Sequence, residues 1–477
     1  MLSLTQRQRQ ALDQARLSDP QVRQLAAAFK AAGYELYLVG GSVRDAVMGR
    51  LGNDLDFTTD ARPEAIEKLL SPIAAAIWDV GRAFGTIAGK LDNVTVEITT
   101  FRADIYTSES RKPEVVFGDH LGGDLIRRDF TVNAMALDMD TGELLDPFNG
   151  LADIELAAIR TPAAPELSFS DDPLRMLRAA RFTSQLNFLP DPEVVRAMAR
   201  LRERIEIVSA ERVRDELSKL LLSPNPRLGL NLLVETGLAD IVIPELPALA
   251  MEVDEHHRHK DVFEHSITVL EQAIELEGLR GHQPDLVLRL AALLHDIGKP
   301  ATRRFEPGGK VSFLMHDVVG ARIAKNRLQA LRYPNEVIDA VAKLIELHLR
   351  FYGYADQDWT DSAVRRYVRD AGSQLERLHI LTRSDVTSQN RMKVARLRSA
   401  YDQLEWRIAM LAEQEELDAM RPDLNGGQIM ELLGIPPGPA VGKAYKYLLD
   451  RRIEEGPLGE EAAKAALLDW WKSRQPD

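Results

Sequence analysis

Residues 36–60 of this 477-residue chain, LYLVGGSVRDAVMGRLGNDLDFTTD, combine a glycine turn with two closely spaced aspartates. The pattern predicts, in order, a buried strand at 36–39, a Gly-Gly-Ser turn at 40–42, a short helix at 43–49 and a second strand beyond it. Asp54 and Asp56 lie on the second strand, and residues i and i+2 of a strand share a face, so both carboxylates project together. Two adjacent carboxylates repel each other. The pair therefore predicts a bound Mg²⁺, which takes oxygen ligands from acids and substrate phosphates.

The turn before the short helix has the composition of a phosphate-binding turn. Gly40 and Gly41 permit close approach of the backbone, and Ser42 stands where helix N–H groups favour an anion. A Gly-Gly pair or an Asp-x-Asp pair alone is also typical of solvated loops, but the two together are more specific. The stretch resembles the nucleotidyltransferase motif of class II tRNA CCA-adding enzymes and bacterial poly(A) polymerases. The resemblance implies that Gly40, Gly41, Ser42 and Arg44 hold a nucleoside triphosphate.

The composition limits the remaining chemistry. The chain is 45% apolar, and no run of about 18 apolar residues could span a membrane. Residues 1–30 lack the apolar core of a signal peptide, so we expect a cytoplasmic protein. Because the chain has no cysteine, any metal must be held by His, Asp or Glu. The net charge of −13 argues against a surface coated by nucleic acid but permits a local basic groove.

A third acidic residue lies on a strand near the paired aspartates. Residues 86–91 and 94–100 predict two strands joined by a turn at Asp92 and Asn93. Alternation in the second strand places Glu97 on its polar face, where it can join Asp54 and Asp56 as a third carboxylate. The alternative is an ordinary exposed strand glutamate.

Residues 102–119 are polar and without periodicity, so we predict a mobile loop. The run RRDFTVNA at 127–134 follows it, and its paired arginines are also typical of a solvated surface. In the family that the chain resembles, the same run follows the flexible loop and belongs to the nucleotide site. The resemblance therefore places Arg127, Asp129 and Asn133 around the nucleotide.

Residues 170–173, Ser-Asp-Asp-Pro, predict a helix start, and Asp172, Arg175 and Arg178 then share one helix face. An acidic first turn with salt bridges within the helix is the alternative. A carboxylate beside a guanidinium matches the amino group and ring nitrogen of cytosine or adenine, whereas guanine and uracil present a carbonyl to the carboxylate. The resemblance implies that Asp172 and Arg175 select CTP and ATP, with Arg178 in the same site and the helix at 211–222 behind it.

Nine of the ten histidines lie between residues 250 and 390. One histidine on an apolar helix is commonly a satisfied core residue, but this set resembles the HD superfamily of metal-dependent phosphohydrolases. The resemblance implies a divalent transition metal held by His265, His295, Asp296 and Asp385, with His316 and His348 available for a second metal. A purely structural metal site is the alternative to a hydrolase.

The C-terminal part carries a local basic strip. Residues 391–410 predict a helix with no acid before Asp402, and its basic residues are Arg391, Lys393, Arg396 and Arg398. Such a strip is commonly just solvated, but in an acidic protein it also suits a phosphate backbone. Residues 424–456 predict two helices around a Gly/Pro turn, with Lys443 near the start of the second. This run resembles the RNA-binding tail of bacterial CCA-adding enzymes.

These patterns predict an α+β fold. The resemblance makes the head a small mixed-sheet palm of the polymerase-β type, followed by an all-α body with an HD domain. We expect five parts: N-terminal helices at 1–33, a nucleotidyltransferase head at 34–150, a helical neck for base selection and RNA contact at 151–245, an HD domain at 246–390 and a helical RNA-binding tail at 391–477.

The ordered motifs imply template-independent addition of C, C and A to tRNA from CTP and ATP, with Mg²⁺ at Asp54 and Asp56 and release of pyrophosphate. The tRNA acceptor arm would be read by shape and backbone. A poly(A) polymerase is one alternative, although the bacterial poly(A) polymerases of this family are expected to carry a basic C-terminal extension and no HD set. A CC-only enzyme is expected to lack part of the loop at 102–119, and an A-only enzyme stays open. A phosphohydrolase with an RNA-binding N-terminal half is the alternative from another class.

Overall fold

The computed structural model describes residues 4–81, 85–105, 114–118, 120–251, 262–307, 311–351, 354, 359–387, 390–415 and 421–473. The chain divides into two compact units, Met1–Pro244 and Glu245–Asp477. A mixed sheet lies in the first unit, and the second is built mainly of helices, which confirms the α+β class. Among the described residues, no helix has both the length and the apolar content needed to cross a bilayer.

The sheet of the first unit carries the paired aspartates. The described strands are β1 Leu36–Val39, β2 Asp54–Thr59, β3 Ala76–Gly81, β4 Thr86–Lys90, β5 Thr95–Thr100, β6 Arg102–Ile105, β7 Glu114–Phe117, β8 Ala136–Asp138, β9 Leu144–Leu145, β10 Ala158–Ile159 and β11 Leu189–Pro190. Seven of them form one sheet in the order β3-β4-β5-β2-β1-β8-β9. β2 runs antiparallel to β1 and parallel to β5, so the strand with the aspartates is central.

Helices cover one side of this sheet and continue beyond it. The first unit contains α1 Gln6–Leu17, α2 Pro20–Ala31, α3 Gly41–Val47, α4 Pro63–Leu70, α5 Leu121–Ile126, α6 Gly150–Glu155, α7 Pro165–Asp171, α8 Leu174–Leu186, α9 Pro192–Leu201, α10 Ala210–Leu221, α11 Pro226–Glu235 and α12 Ala239–Val242. Phe29 of α2, Leu55 and Phe57 of β2, and Ile66 of α4 share one buried core. Because Leu55 enters this core, its two neighbours on β2 must face the other side of the sheet.

The described residues of the second unit form helices and one short hairpin. This unit contains α13 Glu245–Ala248, α14 Val262–Leu279, α15 Leu286–Leu294, α16 Lys299–Thr302, β12 Arg304–Phe305, β13 Val311–Ser312, α17 His316–Ala330, α18 Asn335–Leu347, α19 Asp361–Ala371, α20 Leu375–Ser384, α21 Arg391–Glu415, α22 Gly426–Leu433, α23 Pro439–Glu455 and α24 Glu460–Lys472. Each predicted helix of the C-terminal part is present, and Gly434 ends α22 in the left-handed conformation that favours glycine.

Two local predictions of secondary structure are wrong in part. The segment 102–119 was expected to be a loop throughout, but β6 and β7 pair at its two ends; residues 106–113 and 119 lie outside the described residues. Residues 170–173 were expected to form one helix start, but Asp171 ends α7, and α8 begins only at Leu174. The five-part domain division stays a prediction.

Candidate active site and metal centre

Three carboxylates converge on the solvent side of the sheet. Asp54 and Asp56 are exposed on β2 while Leu55 between them is buried. β5 lies beside β2 in parallel register with Glu97 directly opposite Asp56, so Glu97 points to the same face. Although its side chain reaches solvent, desolvation by the surrounding protein raises the pKa of Asp56 to about 6, and the charge of Glu97 adds to the effect. The site therefore favours a cation, because a positive charge would relieve the repulsion.

The glycine turn at 40–42 packs closely against the strand that carries these carboxylates. Gly40 has φ +68°, and a Cβ at this position would lie 2.9 Å from Nη1 of Arg128 and 3.8 Å from Oδ2 of Asp56. The buried Ser42 hydroxyl accepts a hydrogen bond from the backbone N–H of Asp56 at 3.0 Å. This hydroxyl therefore holds the start of α3 against β2.

A chain of buried polar contacts leads from α3 to α8. Arg44 donates to the carboxylate of Asp45 at 2.8 Å and to Oδ1 of Asn133 at 2.7 Å. Asn133 donates to Oδ1 of Asp129 at 2.9 Å, and Arg178 binds Oδ2 of Asp129 at 2.5 Å. Burial opposes ionisation of Asp129, but Arg178 and these hydrogen bonds outweigh it and lower the pKa of Asp129 to about 2. Four predicted site residues are thus brought together, and Arg44 acts here as a positioning group.

Asp124 is an important residue that the sequence interpretation missed. It is fully buried and pairs with Arg127 at 2.6 Å and with Arg128 at 3.0 Å. Burial raises the pKa of this carboxyl, but the two guanidinium groups outweigh burial and lower it. The buried carboxylate of Asp124 therefore fixes the position of the Arg127 guanidinium. The Asp124-x-x-Arg127-Arg128 spacing, one helical turn, was the available signal.

The predicted base-selecting pair lies at the junction of α7 and α8. Asp172 accepts a hydrogen bond from Nη2 of Arg212 at 3.2 Å. Arg175 is buried and donates to Ser168 Oγ at 2.9 Å and to the backbone carbonyl of Arg127 at 2.5 Å. Asp172, which lies between the two helices, is thus paired with Arg212 of α10.

Helix α10 supports α8 through a second buried acid. Glu216 is 4% exposed, and its carboxylate lies 2.6 Å from Nε of Arg181 and 3.6 Å from Nη1 of Arg178. The predicted helix at 211–222 is observed within one residue, and its contacts with α8 support the expected buttress. Arg212 and Glu216 are one turn apart, so both contacts come from one face of α10.

In the second unit, helix ends bring four histidines and two aspartates together. Two groups have ligand atoms within 4.8 Å of one another: His265, His295 and Asp385, and Asp296, His316 and His348. Nε2 of His265 lies 3.0 Å from Asp385, and Nε2 of His295 lies 3.2 Å from Asp296. All six predicted residues are thus brought into one buried or half-buried cluster. The sequence did not predict a role for Thr387, whose Oγ1 lies 3.1 Å from Nδ1 of the predicted metal ligand His265.

The backbone fixes the orientation of three of these imidazoles. Nδ1 of His295, His316 and His348 lies 2.9, 2.8 and 2.6 Å from the carbonyl oxygen three residues earlier. His295 and His348 end α15 and α18, where carbonyls lack helical partners. A proton held on Nδ1 leaves Nε2 as the ligand atom. Among the described residues, the buried Nε2 of His348 has no hydrogen-bond partner, so the donor set fits a metal.

The charges of the cluster also fit a cation. Burial opposes charge on His295, but Asp296 and Asp385 outweigh it and raise the pKa of His295 to about 10. Burial, with the nearby His295, lowers the pKa of His348 to about 4. Buried carboxylates need a positive partner, and Lys299 supplies one at 2.9 Å from Asp296. Imidazole with carboxylate suits a divalent transition metal.

The predicted RNA contacts lie on exposed helix surfaces of the second unit. Arg391, Lys393, Arg396 and Arg398 are exposed on α21, and Lys443 is exposed on the second turn of α23. Leu397, Tyr401 and Leu404 form the buried side of α21. Three further histidines of this part of the sequence, His256, His257 and His259, were assigned no role and lie outside the described residues.

The family comparisons identify the chain as a nucleotidyltransferase. Three family models match in order: the poly A polymerase head domain at 36–160, the probable RNA and SrmB-binding site of polymerase A at 187–249, and the HD domain at 262–390. The A-adding tRNA nucleotidyltransferase of Deinococcus radiodurans is 33% identical over 446 residues, 92% of this chain and 96% of that protein. The chain belongs to the tRNA nucleotidyltransferase family.

Other relatives are named for the addition of different nucleotides to tRNA. The CC-adding tRNA nucleotidyltransferase of Thermus thermophilus is 31% identical over 449 residues, covering 92% of this chain and 95% of that protein. The CCA-adding enzyme of Bacillus velezensis is 43% identical over 220 residues, 46% of this chain and 53% of that protein. The solved CCA-adding enzyme of Bacillus stearothermophilus in complex with CTP superposes with a TM-score of 0.64 at 24% identity, over 96% of this chain and 99% of that one. This similarity supports the fold.

Proposed function

We propose that this protein adds C, C and A to the 3′ end of tRNA, using CTP and ATP and releasing pyrophosphate. The observation that carries the proposal is the convergence of Asp54, Asp56 and Glu97 on one face, beside a glycine turn at a helix start. The names of the relatives support the substrate. A cytoplasmic location belongs to the same proposal, because the enzyme must meet its tRNA.

The chain's own residues divide the work. Asp54, Asp56 and Glu97 hold Mg²⁺, which when bound neutralises the triphosphate and activates the tRNA 3′-hydroxyl. The backbone of Gly40 and Gly41 receives phosphate oxygens. Arg127, which the buried Asp124 holds, supplies positive charge near the nucleotide.

Base selection belongs to the α7–α8 junction. Asp172 accepts from the amino group of cytosine or adenine, and Arg175 donates to the adjacent ring nitrogen. Asp129, Asn133 and Arg178 hold the surrounding pocket through their buried contacts.

The test is extension of tRNA that ends before CCA, with each nucleoside triphosphate supplied singly and together and the products sequenced. Addition of C, C and A followed by a stop is the expected result. A long A tail would make the protein a poly(A) polymerase. Asp54→Asn is the matched inactive control, because it removes one charge and keeps the side-chain size.

A-only addition is the second candidate, because a relative matched over 92% of this chain is an A-adding enzyme. The same assay separates the two with tRNA that already ends in CC. If A is added to that substrate while no C is added to the shorter one, A-only addition replaces the main proposal; addition of CC alone would assign the CC-only reaction.

For the second unit, we propose a site for a divalent transition metal and an accessory phosphohydrolase activity. A bound metal supplies hydroxide near neutral pH. His265, His295, Asp296 and Asp385 hold the first metal position, and His316 and His348 extend it. The buried Nε2 of His348, which has no hydrogen-bond partner in the part of the chain that the structure describes, is the observation that carries the metal site.

Metal content and hydrolysis test this proposal separately. Elemental analysis of the purified protein should show a transition metal, and His295→Ala should lose it while nucleotide addition to tRNA is kept. Hydrolysis of bis(p-nitrophenyl) phosphate should follow the metal content. Metal bound without hydrolysis would leave a structural site, and a metal-free protein that cannot be loaded would remove the whole proposal.

We also propose that exposed basic residues of the second unit contact the tRNA backbone. These residues are Arg391, Lys393, Arg396, Arg398 and Lys443. The exposed face of α21 has no acid before Asp402, which suits a phosphate backbone.

A further inference from the structure

Arg212 is a residue of α10 that makes a defined contact in the base-selection region. Its Nη2 lies 3.2 Å from Oδ2 of Asp172. Asp172 stands between α7 and α8 with φ −136° and ψ 99°, outside both helices. Its other oxygen, Oδ1, accepts a hydrogen bond from the backbone N–H of Leu174 at 3.1 Å. Among the described residues, each oxygen of this carboxylate therefore has one donor.

Two donors on different oxygens fix the plane of the carboxylate. The terminal torsion of an aspartate is broad, so a single donor at Oδ1 would still permit rotation of the group. Arg212 removes that freedom by holding Oδ2. An ionised carboxylate has about four acceptor positions, so Oδ2 keeps one for the amino group of a base.

The position of Arg212 is itself set by α10. Glu216, four residues further on the same helix, pairs with Arg181 of α8 at 2.6 Å. Arg212 holds the residue before α8, and Glu216 holds the third turn of α8, so α10 supports the base-selecting pair at two levels. The Arg212 side chain is 55% exposed, compared with 26% for Asp172, so the contact lies at the open side of the site.

We propose that Arg212 is a positioning residue for base selection, because it orients the carboxylate of Asp172 toward the amino group of cytosine or adenine. The inference rests on the proposed function and deepens it. Uracil presents a carbonyl where cytosine presents its amino group, so the carboxylate opposes uracil in any orientation. Orientation by Arg212 therefore raises the efficiency with CTP and ATP and leaves the low efficiency with UTP unchanged.

The test is steady-state kinetics of the full chain with CTP, ATP and UTP on tRNA substrates. In Arg212→Ala, kcat/KM for CTP and ATP should fall about tenfold, the size of one hydrogen bond to a charged group, while the value for UTP stays the same. Arg212→Lys should recover most of the loss, because the contact uses a single donor atom. Arg214→Ala is the matched control on the same helix, since Arg214 pairs with its neighbour Asp215 at 2.7 Å.

The ratio of CTP to UTP efficiency decides the result, because it does not depend on the fraction of enzyme that is folded. An Arg212→Ala variant that keeps the wild-type ratio would overturn the proposal, whether its rates are unchanged or uniformly lower. Wild-type protein that adds no nucleotide would instead overturn the proposed function, so the two failures are distinguishable.

Discussion

Replacement of Gly40 by alanine should damage the first unit more than its single added methyl group would indicate. Gly40 combines φ +68° with ψ −137°, a region that residues with a Cβ rarely adopt. The new Cβ would also lie 2.9 Å from Nη1 of Arg128. That guanidinium cannot simply swing away, because its Nη2 is bound to the buried Asp124 at 3.0 Å.

The expected loss has two parts. Backbone strain at such a position costs about 1–3 kcal/mol. Displacing the held guanidinium adds roughly 1 kcal/mol, the lower end of overpacking costs. For a unit of this size, a total of about 2–4 kcal/mol corresponds to a fall in melting temperature of about 5–10 °C.

Calorimetric unfolding of Gly40→Ala, with nucleotide addition assayed in parallel, measures both consequences. Gly52→Ala is the control, because a Cβ at Gly52 meets nothing within 4 Å and its backbone is outside the left-handed region. A double variant with Arg128→Lys, which lacks Nη1, should recover only the steric part. If Gly40→Ala melts and reacts like Gly52→Ala, the reasoning about this turn is wrong.

Three further changes test other parts of the molecule. Glu216→Ala should lower the free energy of unfolding by about 3–5 kcal/mol, because it leaves the buried charge of Arg181 without its carboxylate partner; a loss below 1 kcal/mol in denaturant titration would contradict this. Mg²⁺ should bind about tenfold more weakly at pH 5 than at pH 7, because the pKa of Asp56 is raised to about 6 and below it a proton must be displaced; pH-independent calorimetric affinity would refute the assignment. Charge reversal of Arg396 and Arg398 to Glu should weaken tRNA binding more at low salt than at high salt; equal binding at low salt would exclude α21 from the RNA surface.

The alternating strands and the helix periodicity made the core of the site predictable. Leu55 between Asp54 and Asp56 was enough to place both acids on one face, and the same rule turned Glu97 toward them. The sequence could not show which strand lies beside β2. The pairing of β2 with β5 is a long-range event, and it alone decides that Glu97 stands opposite Asp56.

The missed residues could not be recognised from a local sequence pattern alone. Asp124 holds Arg127 within one helical turn, a spacing that also occurs in solvated helices, and only its complete burial distinguishes it. Arg212 and Asp172 are forty residues apart, so no local pattern connects them. The start of α3 was predicted two residues too late, because either glycine of the turn can break a strand and only the backbone of Gly40 shows which one does.

The register between β2 and β5 also restricts where residues can be inserted into the head or deleted from it. Because the side-chain period of a strand is two, inserting or deleting one residue within β5 would turn Glu97 into the core and bring Val96 or Ile98 to face Asp56. In this part of the head, length variation among functional homologues should therefore fall in the turn at Asp92–Asn93 rather than within β5. A deletion scan across residues 90–105 would locate this boundary as a sharp loss of activity inside β5.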